Sequence, residues 1–250
     1  MTGAPRTAGA VQSVDRALSL LEALATSEGP VGVGELAGQT GLPQGTAHRL
    51  LRALQLRGYV RRDASRKYSL GTAAARLSDG AHRALALQAR PFLTELVEAC
   101  GETANLAVLE GDEAVYVAQV PSPYTLRMFA EVGAHVPVHS TAVGKVLLSD
   151  LPRGRAAALL ARVGLPRRTP ATVTDAQTLL VEVELVRARG WAGDEEEQEL
   201  GVRCVAVPVR AGGRVLAAMS LSGPAERFRG SRDARLVATM QRVSHAFGAG

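Results

Sequence analysis

The stretch Gly41–Leu56, GLPQGTAHRLLRALQL, constrains the fold more than any other part of the chain. Its apolar residues at positions 47, 50, 51 and 54 recur at the spacing of one α-helical face, and the opposite face is polar and cationic. Pro43 fits the first turn of a helix, and Gly41 can adopt the positive φ that a tight turn between two helices needs. We predict the recognition helix of a helix-turn-helix, whose cationic face can enter the DNA major groove.

The flanking sequence extends this prediction to a winged helix-turn-helix at residues 11–71. Apolar residues at helical spacing predict a first helix at Ser13–Ser27 and a short second helix at Gly34–Thr40. After the recognition helix, two strand-like segments, 59–62 and 67–70, are joined by the turn formers Asp63-Ala64-Ser65-Arg66. This pattern predicts a β-hairpin, which would be the wing.

Positive charge is concentrated at the same place. Between Pro43 and Leu70 seven basic residues face one acidic residue, whereas residues 81–250 hold 19 basic and 18 acidic residues. A cationic helical hairpin can simply be a solvated surface. The first helix, the turn, the basic wing and the local charge together favour DNA phosphates as the partner.

The predicted DNA contacts lie at the start of the recognition helix and along the wing. We expect Arg49, with Thr46 and His48, to reach base edges, and the wing cations to hold phosphates. The full predicted set is Gln44, Gly45, Thr46, His48, Arg49, Arg52, Arg61, Arg62, Arg66 and Lys67.

The remainder of the chain predicts a linker helix at residues 72–89 and an α+β domain at residues 90–250. Helical and strand-like segments alternate there, with Pro91–Cys100 as a separate first helix and Leu126–Val132 as a possible strand. The other expected strands lie at 104–109, 114–120, 203–209 and 215–222, and the other helices at 140–148, 155–163, 175–189 and 231–247. Hairpins mixed with helices indicate an antiparallel sheet packed on one face by helices.

Composition limits the class of protein. The Gly/Pro/Ala-rich residues 1–10 predict a disordered tail without the apolar core of a signal peptide, and no later run has the length of a membrane span. We therefore expect a soluble, intracellular protein. Cys100 and Cys204 lack zinc or redox spacing, which predicts free thiols, no metal and no cofactor.

Three stretches of the second half carry chemical side chains. His139–Lys145 opens a helix whose free N–H groups would favour an anion. Asp194–Cys204 reads as a charged loop entering a strand, and Ser220 and Ser222 share one face of another strand. Taken alone, each stretch is better explained without a ligand: the first as a helix cap, the second as a solvated acidic loop and the third as a serine pair on an edge strand.

Several blocks of the chain resemble the IclR-type bacterial transcriptional regulators, from about Gln12 to Phe247. They are QSVDRALSLLEAL, GLPQGTAHRLLRAL, RKYSLG, VPVHSTAVGKVLL, RARGWAGDEEEQELGVRCVAVPV and MSLSGPAER. The resemblance implies an N-terminal winged helix-turn-helix, a linker helix and a C-terminal GAF/PAS-like domain that binds a small effector.

The resemblance also implies which residues line the effector site. In relatives that respond to small carboxylic acids, the lining positions match Ala142, Val143, Asp194, Val202, Cys204, Ser220 and Ser222. The N–H groups of Ala142, Val143 and Gly144 would receive the carboxylate, and Asp194 would accept from a ligand or orient a donor. Val143 and Val202 are bulkier than the residues of some relatives. Gly45 departs from the family, since many members carry Ser there.

Two functions remain as hypotheses. The first is a transcriptional regulator, more a repressor than an activator, that binds a palindromic operator as a dimer or dimer of dimers and responds to a small carboxylate in the cytoplasm. The second is an enzyme that processes a small acid with Cys204 as nucleophile. Cysteine catalysis needs a base, and no motif connects His135 or His139 to Cys204.

Overall fold

The structure, a computed structural model, describes residues 11–27, 29–128 and 130–249. The chain divides into two compact units, residues 1–82 and 83–250. The predicted disordered tail, residues 1–10, lies outside the described residues. No helix in the described ranges is long and apolar enough to cross a membrane.

The first unit contains three helices followed by a hairpin, which confirms the predicted winged helix-turn-helix. The helices are α1 (Gln12–Ala25), α2 (Val33–Thr40) and α3 (Gln44–Leu56), and the hairpin strands are β1 (Val60–Arg62) and β2 (Tyr68–Leu70). The strands are antiparallel, with Val60 opposite Leu70. The hairpin follows α3 directly and forms the wing.

One leucine from each helix fills the core of this unit. Leu20, Leu36 and Leu51 are completely buried, and Tyr68 of the wing packs against the same cluster. Burial of each leucine stabilises the fold by about 1.5–3 kcal/mol. The backbone of Val31, between α1 and α2, pairs with that of Tyr68 through two 2.8 Å hydrogen bonds. These bonds attach the wing to the helical core.

The turn between α2 and α3 has the predicted glycine conformation. Gly41 adopts φ 65° and ψ 20°, a left-handed geometry that an L-residue adopts only with strain. The N–H of Leu42 then donates to the carbonyl of Ala37 at 3.0 Å, which closes the end of α2. Pro43 is the N-cap residue and not a residue of the first turn as predicted, so α3 begins at Gln44.

A single helix, α4 (Thr72–Cys100), replaces the two helices predicted around Pro91. The prediction treated Pro91 as a helix start because proline lacks the N–H that a helix interior uses. In the structure the helix continues through Pro91, and Ala89, Leu93 and Leu96 on the flanking turns are completely buried. This packing offsets the one backbone hydrogen bond that proline removes.

A six-stranded antiparallel sheet organises the second unit, in the order β5-β4-β3-β8-β7-β6. The strands are β3 (Thr103–Glu110), β4 (Glu113–Val120), β5 (His135–Val136), β6 (Ala192–Glu195), β7 (Val202–Ala211) and β8 (Arg214–Pro224). The helices are α5 (Ala142–Leu148), α6 (Arg153–Val163), α7 (Ala176–Arg189) and α8 (Ala234–Ala249), and a short 3₁₀ turn spans Gly230–Arg232. This architecture confirms the predicted α+β class.

Helices cover both faces of the sheet, whereas we predicted helices on one face. Along β8, Met219 and Leu221 pack with residues of α4 and α8, and Ala218 packs with residues of α5, α6 and α7 on the opposite face. Every second residue of a strand points to the same side, so Ser220 and Ser222 share the face of Ala218. The polar residues of β8 therefore lie on the side covered by α5.

Two local predictions were wrong. The described residues of Leu126–Val132 do not form a strand. Instead of pairing with a strand, the backbone carbonyls of this segment accept hydrogen bonds from side chains elsewhere. Arg227 donates to the carbonyl of Leu126, Thr103 to that of Met128 and Gln119 to that of Ala130. The predicted charged loop, Asp194–Cys204, begins within a strand, since Asp194 and Glu195 belong to β6 and pair with Cys204 and Arg203 of β7.

Candidate functional site

The predicted DNA-contacting residues form one exposed surface on α3 and the wing, which we call the basic surface. All ten residues are exposed except Thr46, which is half-buried. Ala47 and Leu51, on the other side of α3, are completely buried. Helix α3 thus has one exposed polar face and one buried apolar face, as the spacing of its residues predicted.

The cations of the basic surface are available for phosphate. Within the described part of the chain, none of them forms an ion pair with a carboxylate. The exposed carboxylate of Asp63 accepts from the backbone N–H of Lys67 at 2.9 Å and so stabilises the wing turn. Its role is to shape the turn in which Arg66 adopts φ 63°.

Two wing arginines are positioned by neutral neighbours. Arg61 Nε donates to Ser69 Oγ at 2.7 Å across the hairpin, and the guanidinium of Arg62 lies 5.4 Å from the ring centre of Tyr68. Both contacts leave the positive charge uncompensated. The wing therefore presents oriented cations, as contacts to a nucleic-acid backbone require.

Gly45 lies exposed in the first turn of α3. A Cβ added there would meet no atom within 4 Å. Nothing in the structure therefore requires glycine at this position, and a side chain would point into solvent.

In the second unit, the predicted effector residues of the sheet lie in one cross-strand row. Asp194 is opposite Cys204, Cys204 is opposite Ser222, and Ser222 is opposite Thr103, so the row crosses β6, β7, β8 and β3. All four residues are buried. The structure thus brings together residues that are far apart in the sequence.

A second row lies next to the first on the same face. Ala206, Ser220, Asn105 and Gln119 are successive partners across β7, β8, β3 and β4. Ser220 is completely buried, and its hydroxyl makes no hydrogen bond of normal geometry among the described residues, although it is close enough to Cys204 to lower the pKa of that thiol. We call the two rows the polar sheet face, consisting of Thr103, Asn105, Gln119, Asp194, Cys204, Ser220 and Ser222.

Helix α5 packs on this face, as the prediction of a helix start at the site requires. Ala142 and Val143 are completely buried in the same cluster as Cys204 and Ala218. The N–H of Gly144, however, donates to Thr141 Oγ1 at 3.2 Å, the helix cap. The prediction that Gly144 offers a free N–H was therefore wrong, which leaves Ala142 and Val143 as the candidate donors.

Gly144 instead permits close packing. A Cβ on Gly144 would lie 2.3 Å from Cα of Val138 and 2.5 Å from its carbonyl oxygen. Only glycine allows the backbone of α5 to approach the segment before it this closely.

Asp194 binds its own chain. Its Oδ1 accepts from the backbone N–H of Glu197 at 2.7 Å and of Gln198 at 3.3 Å, and so holds the loop between β6 and β7. Burial raises the pKa of this carboxyl to about 7, against the lowering effect of those two N–H groups. The predicted ligand acceptor is thus also a loop anchor.

The surroundings of Cys204 argue against the hypothesis that its thiol acts as a nucleophile. Burial, followed by the nearby charge of Asp194, raises the pKa of the thiol to about 12, so it remains protonated at neutral pH. The hydroxyl of Ser222 donates to its sulfur at 3.1 Å. His139 bonds instead with the carbonyl of Pro166, and His135 with Glu113, so neither acts as a base for Cys204.

Val202 takes a peripheral position. It lies two residues before Cys204, is half-buried, and is opposite Pro224 at the end of β8. It therefore extends the same face toward its edge.

Among the described residues, no group of three or more histidines, cysteines, aspartates and glutamates lies close enough together to hold a metal ion.

Sequence reasoning missed Lys145. This residue of α5 is completely buried, and its Nζ donates to Glu182 Oε1 at 3.1 Å, to the carbonyl of Gly193 at 3.0 Å and to Glu197 Oε1. It thus connects α5, α7, β6 and the loop that follows β6. A lysine in a helix normally indicates a solvated surface, so its burial became visible only with the tertiary structure.

Sequence reasoning also missed Tyr116 and the Asn105–Gln119 pair. Burial raises the pKa of Tyr116, and Cys204 and Asp194 raise it further, which places this phenol near the first row. Asn105 is 1% exposed, and Gln119 Nε2 donates to its Oδ1 at 3.0 Å. An asparagine inside an apolar strand, as in TANLAVL, was the available signal.

Comparison with known proteins agrees with this architecture. The IclR helix-turn-helix domain matches residues 13–64, and the C-terminal domain of bacterial IclR transcriptional regulators matches residues 81–248. The chain therefore belongs to the IclR family of bacterial transcriptional regulators. It is a DNA-binding transcription regulator and not an enzyme.

Individual relatives cover most of the chain. The acetate operon repressor of Salmonella typhimurium is 38% identical, over 99% of this chain and 93% of the relative. The structure of Thermotoga maritima IclR is similar with a TM-score of 0.64 at 27% identity, over 96% of this chain and 98% of that one. A double mutant of the PobR inducer-binding domain from Acinetobacter, in complex with 3-hydroxybenzoic acid, is similar with a TM-score of 0.60 at 30% identity, over 64% of this chain and 95% of that one.

Proposed function

We propose that the protein represses transcription by binding a palindromic operator through the basic surface, and that a small carboxylic acid bound at the polar sheet face changes this affinity. A palindromic site is read by a symmetric protein, so the working form would be a dimer or a dimer of dimers. The protein would act in the cytoplasm, with its DNA.

The observation that carries the effector site is the buried hydroxyl of Ser220. It lies next to Cys204 and Ser222 on a face covered by α5, and apart from a weak interaction with the Cys204 thiol it has no partner among the described residues. Buried polar groups are nearly always hydrogen-bonded in native proteins, so an unpaired hydroxyl here suits a ligand oxygen. The similarity to a domain complexed with 3-hydroxybenzoic acid supports an acid as the ligand.

The DNA assignment rests on the basic surface. Arg49 and His48 are exposed on α3, and the wing cations flank them without carboxylate partners among the described residues. Arg49, with Thr46 and His48, would read base edges in the major groove, while Arg61, Arg62, Arg66 and Lys67 would bind phosphates.

The test uses the full chain and the DNA that adjoins its gene. Thermal denaturation with pyruvate, propionate, benzoate, 3-hydroxybenzoate and 4-hydroxybenzoate should reveal at least one acid that stabilises the protein saturably, because a ligand of the native state raises its stability. The same acid should change the affinity in an electrophoretic mobility shift. Ser220→Ala should weaken that response, with Ser78→Ala, a substitution in the first unit, as control.

Two outcomes would contradict the proposal. The first is a panel of small acids in which none stabilises the wild-type chain. The second is an acid whose effect is unchanged by both Ser220→Ala and Ser222→Ala, since these hydroxyls belong to adjacent rows of the polar sheet face.

A further inference from the structure

Asn105 lies at the centre of the polar sheet face and carries an unused hydrogen-bond donor. It is opposite Ser220 on β8 and opposite Gln119 on β4, and it is 1% exposed. Its Nδ2 is buried and has no partner among the described residues. The neighbouring hydroxyl of Ser220 is likewise buried without a hydrogen bond of normal geometry. Two unpaired polar groups on adjacent strands thus share one face.

The orientation of the Asn105 amide follows from a chain of hydrogen bonds. The nearest atom of Gln119 lies 2.7 Å from the carbonyl oxygen of Ala130, which can only accept, so that atom must be Nε2. The same Nε2 lies 3.0 Å from the Asn105 amide, so the atom of Asn105 that faces it must be Oδ1. The other end, Nδ2, then faces away from Gln119 as a donor only.

We propose that Asn105 Nδ2 donates a hydrogen bond to an acceptor oxygen of the effector, and that Gln119 positions it for this contact. This inference rests on the proposed function. It narrows the effector class to carboxylic acids that carry a further acceptor oxygen, as a keto or hydroxyl group. Ser220 can donate or accept, whereas Nδ2 can only donate, so Asn105 sets the polarity of the ligand atom in this position.

An acid without that oxygen would bury Nδ2 against an apolar group. A site built to hydrogen-bond an oxygen disfavours the analogue that lacks it, because its own polar group is left unpaired. We therefore expect a preference of about tenfold or more for the oxygen-bearing member of a matched pair of acids.

The decisive variant is Asn105→Asp in the full chain. The aspartate has the size of asparagine and can still accept from Gln119, but its second oxygen replaces the donor. Binding is measured by titration calorimetry with two pairs that differ by one keto oxygen, pyruvate with propionate and benzoylformate with phenylacetate, because a keto oxygen can only accept whereas a hydroxyl could also donate to the aspartate. The wild type should prefer the oxygen-bearing member of the pair that binds, and Asn105→Asp should abolish this preference.

Gln119→Glu tests the positioning role on a half-buried residue. The carboxylate introduced at position 119 cannot donate to Asn105 Oδ1, so the asparagine amide should turn its nitrogen toward that carboxylate and its oxygen toward the ligand. The preference for the oxygen-bearing acid should then be lost although Asn105 is intact. Melting without ligand and operator binding show whether Asn105→Asp folds. If it does not fold, Gln119→Glu still tests the proposal.

The outcomes separate the inference from the proposed function. If both Asn105→Asp and Gln119→Glu still prefer the oxygen-bearing acid, the proposed role of Asn105 is wrong. If Ser220→Ala binds the acid more weakly in the same experiments, the effector site itself is correctly placed. Failure of every acid to bind the wild type, or full binding by Ser220→Ala and Ser222→Ala, refutes the proposed site and with it this inference. Loss of preference in both variants, with operator binding retained, supports it.

Discussion

The basic surface and the polar sheet face both concentrate polar side chains, but in opposite surroundings. On α3 and the wing, Arg49 and Arg52 lie in solvent with no ion pair among the described residues. On the polar sheet face Asp194 is buried and bonded to the chain itself, and so is Lys145 of α5, the helix that packs on this face. A change on the first surface should alter binding alone, whereas a change at the second should alter stability as well.

Replacement of Lys145 should give the largest effect. Lys145→Met removes the partner of Glu197 and of the Gly193 carbonyl and leaves a buried charge uncompensated, which should cost about 3–5 kcal/mol of unfolding free energy. Urea denaturation of the full chain measures this. The exposed cation Arg155 provides the control: Arg155→Met should change stability by less than about 0.5 kcal/mol. Equal stabilities for the two variants would contradict the comparison.

Replacement of Arg49 should affect DNA binding alone. Arg49→Ala removes the cation expected to reach a base edge, so operator affinity should fall by about 1–3 kcal/mol, or roughly 5- to 150-fold. The melting temperature and the response to the effector acid should stay at wild-type values. Electrophoretic mobility shift with specific and unrelated DNA checks this, with Arg155→Ala as the matched control. Sequence-specific binding retained at wild-type strength would exclude Arg49 as a reader.

The pH dependence of stability should reveal Asp194. Its folded pKa is raised to about 7, so between about pH 4 and that value the folded state keeps a proton that the unfolded state has released. Stability should therefore fall as pH rises through this window, by about 1.4 kcal/mol per unit at most, and stay level above it. Asp194→Asn should reduce this slope.

Glu197 must be considered in the same experiment. Burial raises the pKa of Glu197 too, and Lys145 lowers it. Some slope should therefore survive in Asp194→Asn. Urea midpoints at about pH 5 and about pH 7 compare the variants. An unchanged slope in Asp194→Asn would show that Asp194 is ionised in the folded state across the window.

Gly45→Ser should give the smallest effect. The serine side chain meets no atom within 4 Å, and its hydroxyl at the start of α3 would add one phosphate contact, so operator affinity should rise by less than about tenfold. Gly38→Ser is matched, because Gly38 is also an exposed helical glycine without neighbours within 4 Å. Both should gain helix stability, and only Gly45→Ser should gain affinity. An equal gain in both would attribute the effect to folding alone.

The sequence predicted the basic surface more accurately than the polar sheet face. The spacing of Ala47, Leu50, Leu51 and Leu54 and the turn at Gly41 are local, so the exposed face of α3 was predictable. In the second unit, Asp194, Cys204 and Ser222 were identified through family resemblance, and their common row depends on strand register. That register is determined by pairing between distant segments, which periodicity does not encode.

What the sequence could not supply was the burial of individual polar groups. Lys145 reads as a surface residue, Asn105 as an isolated polar residue of a strand, and Gly144 as a free anion-binding N–H. Each assignment changes once the neighbours are known: Glu182 and Glu197 for Lys145, Gln119 for Asn105, and Thr141 for Gly144. Such partners arise from tertiary packing, and a single sequence does not contain their positions explicitly.

The close approach of Gly144 to Val138 has a consequence for mutational scanning of this protein. Every side chain at position 144 would overlap the backbone of Val138, where the nearest atom is 2.3 Å from an added Cβ. A saturation library selected for repression without the inducing acid should therefore retain only glycine at this codon. Substitutions at Ser220 or Asn105 that leave the fold intact should pass this selection and should continue to repress after the acid is added, so the two conditions separate ligand-reading positions from those that packing alone constrains.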